Sequence, residues 1–272
     1  MVDLTVVVPA YNEENRLPLM LDEALDFLEA RYNDKAKLLT ENPYNTDKFT
    51  YEIIIVDDGS HDGTTQCGHR YSKKFGSNKI QVITLESNRG KGGAVRAGVL
   101  AAKGNYIIFA DADGASKFSE IEKLEKFFYQ NKGSDLTVAI GSRAHMEEEA
   151  MASRSLFRTI LMKGFHFLVW TCCVRTIRDT QCGFKMFNRN SALLLFRHYH
   201  NESWAFDVEL LYLAEQLRCT MGEIAINWKE VDGSKIVPVF SWIRMGWDVV
   251  CLATLYNLGV YKVPYDQAIK SK

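Results

Sequence analysis

The sequence lacks an apolar run long enough to cross a membrane. Such a span needs about 18 apolar residues, and the two closest candidates, at 165–174 and 249–261, are shorter. Either candidate fits a protein core or a membrane surface, so both alternatives stay open. The first residues, MVDLTVVVPAYNEE, have no basic flank and turn acidic at once. We therefore expect neither a signal peptide nor a spanning helix.

The sequence also lacks closely spaced cysteine pairs and has a net charge close to zero. The six cysteines form no CxxC pair, and Cys172 and Cys173 are adjacent, which argues against a zinc site. Scattered cysteines are typical of reduced core thiols in a protein that faces the cytosol. There the glycosylation sequon NES at Asn201 would be a chance match. The formal net charge of −1 argues against binding of nucleic acid through bulk electrostatics.

A third absence is a dinucleotide or P-loop fingerprint. The segment SNRGKGGAVRAG at 87–98 matches neither GxGxxG nor GxxxxGK[ST]. The first predicted strand runs into PAYNEE instead of glycines, which argues against a dehydrogenase. Glycines where a strand meets a helix let backbone N–H groups approach an anion, but they also suit a plain tight turn.

The residues that are present predict a folded α/β protein. Hydrophobic residues make up 47% of the chain, and apolar strand patterns alternate with helical patterns. This order is typical of a mostly parallel central sheet with helices on both faces. The polar segment at 33–50 is predicted to be a mainly exposed insertion. The predicted strands are 4–10, 51–60, 79–86, 105–113, 136–143 and 221–231, and the predicted helices are 16–32, 62–75, 91–103, 120–130, 202–217 and 241–258.

Polar residues stand at the ends of three predicted strands, as PAYNE at 9–13, DDGS at 57–60 and DAD at 111–113. Because ligands bind at the carboxyl ends of parallel strands, we expect the three to share one rim. Asp111 and Asp113 point the same way and repel each other. A shared Mg²⁺ or Mn²⁺ would remove that repulsion and could hold a diphosphate. The alternative is an Asx-type turn after the strand.

Seven motifs in order carry a family resemblance. They are VVVPAYNEE, IIIVDDGSHDGT, NRGKGGAVRAG, DADGA, GSR, DTQCGFKMF and WAFDVELL. Together they resemble the inverting family-two glycosyltransferases with the GT-A (nucleotide-diphospho-sugar transferase) fold. They are most similar to the branch that transfers glucose from UDP-glucose to dolichyl phosphate for N-glycosylation. Each motif alone is loose, whereas seven in register, from about residue 4 to 240, are specific.

The resemblance implies roles for the matching residues. Asp113 would be the main ligand of Mg²⁺ or Mn²⁺, and Asp111 would lie between ribose and metal. Asp207 would act as the base or would orient the sugar or the acceptor phosphate. The other donor-binding residues would be Pro9, Ala10, Tyr11, Glu13, Asp57, Asp58, Lys91 and Ala112. The acceptor side would use Arg143, Arg154, Arg158, Gln181, Lys185, Trp204 and Lys235.

Some of these basic residues have simpler interpretations. Arg154 and Arg158 are one helical turn apart and could pair with the acidic run at 147–149. Lys185 and Lys235 could be ordinary surface lysines. Only Arg143 is favoured as a phosphate contact on the resemblance.

No repeat, low-complexity tract or linker divides the chain, so we expect a single GT-A catalytic domain over 1–272. The resemblance implies a nucleotide-sugar half at 1–145, an acceptor half at 146–240 and a C-terminal amphipathic helix at 241–272 that suits a membrane surface. It also implies the cytosolic face of the endoplasmic reticulum membrane. The glucosyl branch usually begins with a hydrophobic anchor, so we expect an anchor that is not in this chain, or another mode of attachment.

One departure bears on the donor. The related mannosyltransferases tend to carry glutamine two positions after DAD, where this chain has Ala115. That favours glucose and removes one potential metal ligand. The alternatives are transfer of mannose from GDP-mannose, glycosylation of a bacterial lipid or polysaccharide, and nucleotide binding without turnover. Intact Asp111, Asp113 and Asp207 argue against the last.

Overall fold

The computed structural model describes residues 2–38, 40–146, 156–229, 231 and 240–270, without the side chains of 35, 156–163, 240–242, 269 and 270. Within these residues one seven-stranded sheet has the order β3-β2-β1-β4-β6-β5-β7. Its strands are β1 (Val2–Ala10), β2 (Tyr51–Asp57), β3 (Ile80–Thr84), β4 (Gly104–Ala110), β5 (Thr137–Ser142), β6 (Phe184–Asn188) and β7 (Thr220–Ala225). All six predicted strands are confirmed, and β6 was not predicted.

The sheet is mostly parallel, as its apolar strands predict. β1 pairs in parallel with β2 and β4, β2 with β3, and β5 with β7. β6 runs antiparallel to both of its neighbours, β4 and β5. The chain thus inserts a strand from its second half beside the strand that leads into Asp111.

Helices cover both faces of the sheet, because alternate residues of each strand point to opposite sides. The helices are α1 (Leu17–Asn33), α2 (Thr64–Phe75), α3 (Gly90–Ala101), α4 (Ile121–Gln130), α5 (Leu156–Cys172), α6 (Arg189–His198), α7 (Phe206–Gln216), α8 (Phe240–Asn257) and α9 (Tyr265–Lys270). One apolar core joins the sheet to α1, α2 and α4, and the other joins it to α3 and α5 through α9. All six cysteines are free, in agreement with the expected thiols.

The segment after α1 is mainly exposed, as the sequence predicts, but it includes buried aromatic residues. Tyr44 and Phe49 are buried. The Tyr44 hydroxyl donates to Glu125 Oε1 at 2.7 Å, and Arg31 Nη1 donates to the same atom at 2.7 Å. These two positions are exceptions within a mainly exposed insertion, because here the segment closes over a buried ion pair on α1 and α4.

The C-terminal helices leave apolar side chains in contact with solvent. On α8, Met245 and Val249 face the core, whereas Ile243 and Trp247 are 67% and 68% exposed. α8 packs against α5. Among the described residues, no helix combines the length and the apolarity that crossing a membrane requires.

Candidate active site

The end of β4 carries the two acids that the sequence singles out. Asp111 and Asp113 are both half-buried. Ala115 N donates to Asp113 Oδ1 at 3.0 Å, so the Asx-type turn is present, and Gly114 completes it with φ of 70°. That turn uses one carboxylate oxygen of one acid, so it leaves room for a metal role as well. The two interpretations are therefore compatible.

Lys91, at the start of α3, faces Asp111. Its Nζ lies 2.6 Å from Asp111 Oδ1. Burial lowers the pKa of Lys91, but the charges of Asp111 and Asp207 outweigh it and hold the pKa above its usual value. Burial and the neighbouring Asp111 raise the pKa of Asp113. The charges of Lys91 and Arg16 oppose that rise without outweighing it, so the rim favours a further cation.

A divalent cation fits this pair of acids. Carboxylate oxygens are the ligands that Mg²⁺ and Mn²⁺ prefer. The part of the chain that the structure describes contains no group of three or more His, Cys, Asp or Glu that could hold a metal. Asp111 and Asp113 could therefore supply only part of a ligand set, with the rest from a diphosphate and water. Such sharing is common where Mg²⁺ binds phosphates.

Two further acids end β2, and both are buried. Asp58 accepts hydrogen bonds from Arg89 N at 2.7 Å and Gly90 N at 3.0 Å. Asp57 accepts from Ser60 N at 3.1 Å and from the Thr65 hydroxyl. Burial raises the pKa of Asp58. Asp58 therefore fixes the entry into α3, which carries Lys91.

The end of β1 is tied to the end of β2, as the shared rim predicts. Ala10 lies opposite Asp57 in the parallel register, beside Pro9. After Tyr11, Asn12 N donates to Ser60 Oγ at 2.8 Å. Glu13 Oε1 lies 2.6 Å from Arg16 Nη2. The three strand ends that carry PAYNE, DDGS and DAD thus lie side by side, because β2, β1 and β4 are adjacent.

A buried ion pair lies on the other side of the rim. Lys185 Nζ, on β6, lies 2.6 Å from Asp207 Oδ1, in the first turn of α7. Lys185 also donates to Cys182 O at 2.7 Å. Burial raises the pKa of Asp207, and the charges of Lys185 and Lys91 oppose that effect. The suggestion that Lys185 is a surface lysine is wrong, because its side chain is fully buried.

The other predicted acceptor residues have mixed placements. Arg143 forms a two-point ion pair with Asp179, with Nε to Oδ2 at 2.8 Å and Nη2 to Oδ1 at 2.9 Å. Gln181 Nε2 lies 3.1 Å from Met245 Sδ on α8. Trp204 is 38% exposed, just before α7. Arg154, Lys235 and the side chain of Arg158 lie outside the described residues.

Two glycines shape this site, and no role was predicted from the sequence for the first of them, Gly183. A Cβ added at Gly183 would lie 1.9 Å from Asp111 Oδ2, so only glycine leaves space for that carboxylate. A Cβ at Gly90 would lie 2.6 Å from Glu202 O. The glycines at the start of α3 thus admit a neighbouring backbone, which favours the close-turn interpretation over an open anion cradle. A glycine beside a strand is the signal that could have found Gly183.

The sequence model described as "Glycosyl transferase family 2" matches residues 5–194, more than half of the chain. The chain belongs to glycosyltransferase family 2. The expected family resemblance is therefore confirmed, and the chain is a glycosyltransferase.

Curated relatives match nearly the whole chain. It is 53% identical over 264 residues to a dolichyl-phosphate beta-glucosyltransferase of Drosophila melanogaster, which covers 96% of this chain and 78% of the relative. Proteins of the same name from Homo sapiens and Saccharomyces cerevisiae are 52% and 46% identical, with 96% and 95% of this chain covered and 78% and 76% of each relative.

Solved structures of other proteins share the fold. Glucosyl-3-phosphoglycerate synthase from Mycobacterium tuberculosis, in complex with Mn²⁺, UDP and glucosyl-3-phosphoglycerate, aligns with a TM-score of 0.59 at 17% identity, covering 95% of this chain and 80% of that one. S. aureus TarS 1-349 in complex with UDP aligns with a TM-score of 0.55 at 17% identity, covering 99% and 69%. These neighbours confirm the expected GT-A fold.

Proposed function

We propose that this glycosyltransferase moves glucose from UDP-glucose to dolichyl phosphate with inversion, giving dolichyl β-D-glucosyl phosphate. The observation that supports it most strongly is the 53% identity, over 96% of the chain, to a dolichyl-phosphate beta-glucosyltransferase. The rim acids and the buried Asp207 suit that chemistry, because an inverting transfer needs a diphosphate site on one side of the sugar and an acceptor site on the other.

In this proposal the donor binds along the ends of β1, β2 and β4. Pro9 to Glu13 and Asp57 line the nucleotide, while Asp58 holds the turn that presents Lys91. Residues 1–145 then serve the nucleotide sugar and residues 146–240 the acceptor. Lys91 keeps its positive charge beside Asp111, so it offsets the negative charge that a bound diphosphate brings.

Asp111 and Asp113 would hold the divalent metal. Bound there, Mg²⁺ or Mn²⁺ supplies positive charge to the leaving diphosphate. The M. tuberculosis neighbour was crystallised with Mn²⁺ and UDP, which supports a metal of this kind. Ala115 adds no ligand at the position where the mannosyl branch tends to carry glutamine.

The transfer itself needs little proton movement. An oxygen of the acceptor phosphate attacks the anomeric carbon of glucose from the face opposite UDP, and the bond from that carbon to the diphosphate breaks with its electrons on UDP. A phosphate monoester has a second pKa of about 6, so it is largely dianionic at neutral pH. Asp207 therefore orients the sugar or the acceptor phosphate, with Lys185 holding it in place.

The lipid acceptor lies in a membrane, and an exposed apolar patch on the protein is suited to contact that membrane surface. We define this patch as Phe167 and Trp170 on α5 with Ile243, Trp247 and Val250 on α8, all at least 40% exposed. Their spacing puts each set on one side of its helix, and the two helices pack together. Exposed aromatic and aliphatic side chains suit a lipid interface. The proposed location is the cytosolic face of the endoplasmic reticulum.

A donor and acceptor screen tests the proposal. We expect transfer of glucose from UDP-glucose to polyprenyl phosphate, loss of transfer with EDTA, and recovery with Mn²⁺ or Mg²⁺. Polyprenol without phosphate is the control acceptor, and melting with UDP or GDP reports donor choice. Transfer of mannose from GDP-mannose would favour the mannosyl alternative, whereas UDP binding without any transfer would favour a nucleotide-binding protein.

A further inference from the structure

The side chain of Glu202, in the segment before α7, binds the start of α3, next to the Tyr199 hydroxyl that donates to Gly92 O at 2.5 Å. Arg89 Nε donates to Glu202 Oε2 at 3.0 Å, and Arg96 Nη1 donates to Oε1 at 3.0 Å. Arg89 lies just before α3 and Arg96 within it. The carboxylate is half-buried, and its two ion pairs share it. The Arg89 side chain is 46% exposed and that of Arg96 is 20% exposed, and a carboxylate shared by two ion pairs holds geometry better than an isolated surface pair.

The backbone of Glu202 makes the same connection. Gly93 N donates to Glu202 O at 3.2 Å. A Cβ at Gly90 would lie 2.6 Å from that oxygen, and one at Gly92 would lie 2.9 Å from it. Because backbone atoms cannot move away like a flexible side chain, larger residues at these positions would force the two segments apart. The glycines of this helix start therefore serve the contact with Glu202.

The two joined elements carry charged residues from both sides of the site. Lys91 Nζ, on α3, lies 2.6 Å from Asp111 Oδ1. Arg89 N, at the entry into α3, donates to Asp58 Oδ1 at 2.7 Å. α7 begins shortly after Glu202 and holds Asp207 in its first turn. Glu202 thus connects the donor side of the rim to the acceptor side.

We propose that Glu202 is a positioning residue for sugar transfer. It sets the separation between the Lys91–Asp111 pair and Asp207, and so aligns the donor with the acceptor. The side chain of Glu202 binds Arg89 and Arg96, so it acts on the reaction through α3. The inference rests on the proposed function, because alignment matters only where two substrates react. Displacement of a reacting group by about 1 Å can cost about a hundred-fold in rate.

The test compares Glu202→Gln and Arg89→Met with wild type, and Glu41→Gln serves as the matched control. Glu41 pairs with Lys126 on the surface, and both side chains are about half exposed. The measurements are kcat per folded molecule, KM for UDP-glucose, and amide hydrogen exchange at 88–95 and 203–209. We expect both test variants to lower kcat about three- to ten-fold with little change in KM, and to speed exchange in both segments. The control should match wild type.

The outcomes separate the positioning role of Glu202 from a purely structural role and from failure of the proposed function. Wild-type kcat in Glu202→Gln, or unchanged exchange in either segment, would overturn the positioning role. A fall in melting temperature with unchanged kcat per folded molecule would show a structural role only and would also overturn it. If the wild-type protein itself transfers no glucose to dolichyl phosphate, the proposed function fails instead. The exchange comparison then still decides whether Glu202 holds the two segments together.

Discussion

Lys185 and Asp207 form an ion pair at 2.6 Å, with side chains that are 0% and 3% exposed. They come from β6 and α7, so the pair joins the inserted strand to the first turn of α7. Two charges this deep stabilise the fold only as a pair, since either one alone would be desolvated without compensation.

Removal of one partner should therefore destabilise the protein strongly. We expect Lys185→Met to lower the free energy of unfolding by about 3–5 kcal/mol. Lys185→Met with Asp207→Leu should cost less than the two single changes together, because no buried charge is left unpaired. Urea unfolding of wild type, the two single variants and the double variant measures these free energies. If the cost of the double variant equals the sum of the two single costs, the pairing is contradicted.

Turnover should separate the roles of Asp207 and Asp113. Asp113→Asn should lower turnover about a hundred-fold or more, because charge on the leaving diphosphate loses its stabilisation. Asp207→Asn should retain turnover within about ten-fold, since loss of a required general base costs about 10²- to 10⁴-fold. A larger loss in Asp207→Asn, measured per folded molecule, would restore the base role.

Gly183→Ala should impair activity more than stability. The added Cβ meets the carboxylate of Asp111, which can rotate away at small cost to the fold but no longer faces Lys91. We expect the Mn²⁺-dependent part of UDP binding to be lost, while the melting temperature changes little. Gly133→Ala is the control, because a Cβ there meets nothing within 4 Å. Calorimetry of UDP binding with and without Mn²⁺ is the measurement, and wild-type binding in Gly183→Ala would refute the assignment.

Membrane attachment should depend on the apolar patch. Ile243→Ser with Trp247→Ser should weaken binding to anionic vesicles about ten-fold or more, since each buried apolar side chain contributes about 1.5–3 kcal/mol. Leu19→Ser is the control, because Leu19 on α1 is 67% exposed, as is Ile243. Cosedimentation at low salt measures the effect. Equal binding by the double variant and the control would exclude the patch.

The Arg143–Asp179 pair should make stability depend on acid. Burial raises the pKa of Asp179, but the bonds from Arg143 outweigh it and hold the pKa below the usual 3.8. A depressed carboxyl contributes stability that is present above the usual pKa and is lost as pH falls through the folded value. The difference in the free energy of unfolding between wild type and Asp179→Asn should thus become smaller below about pH 3.8. Urea unfolding at about pH 5 and pH 3 measures this, and the exposed Asp266→Asn is the control. A constant difference would contradict the pKa direction.

Periodicity predicted the parallel strands and the rim well, because both follow from local patterns. Strands β1, β2 and β4 are apolar throughout, and the polar residues that end them meet for geometric reasons. β6 was missed because FKMFN is short and its antiparallel partners lie far away in the sequence. The burial of Lys185 was not predicted for a similar reason, because its ion pair with Asp207 forms only when β6 and α7 pack together. Glu202 gave no local signal, as its contacts involve residues more than a hundred positions away.

The inserted strand β6 also has a consequence for biosynthesis. In the sheet that the structure describes, β6 lies between β5 and β4, so β5 has no place beside β4 until residue 188 has been made. Until then β4 has an open edge next to the acids of the site, and such edges promote aggregation. We therefore expect a nascent chain that stops near residue 145 to require protection by a chaperone, and translation of the next forty or so residues to complete the donor site.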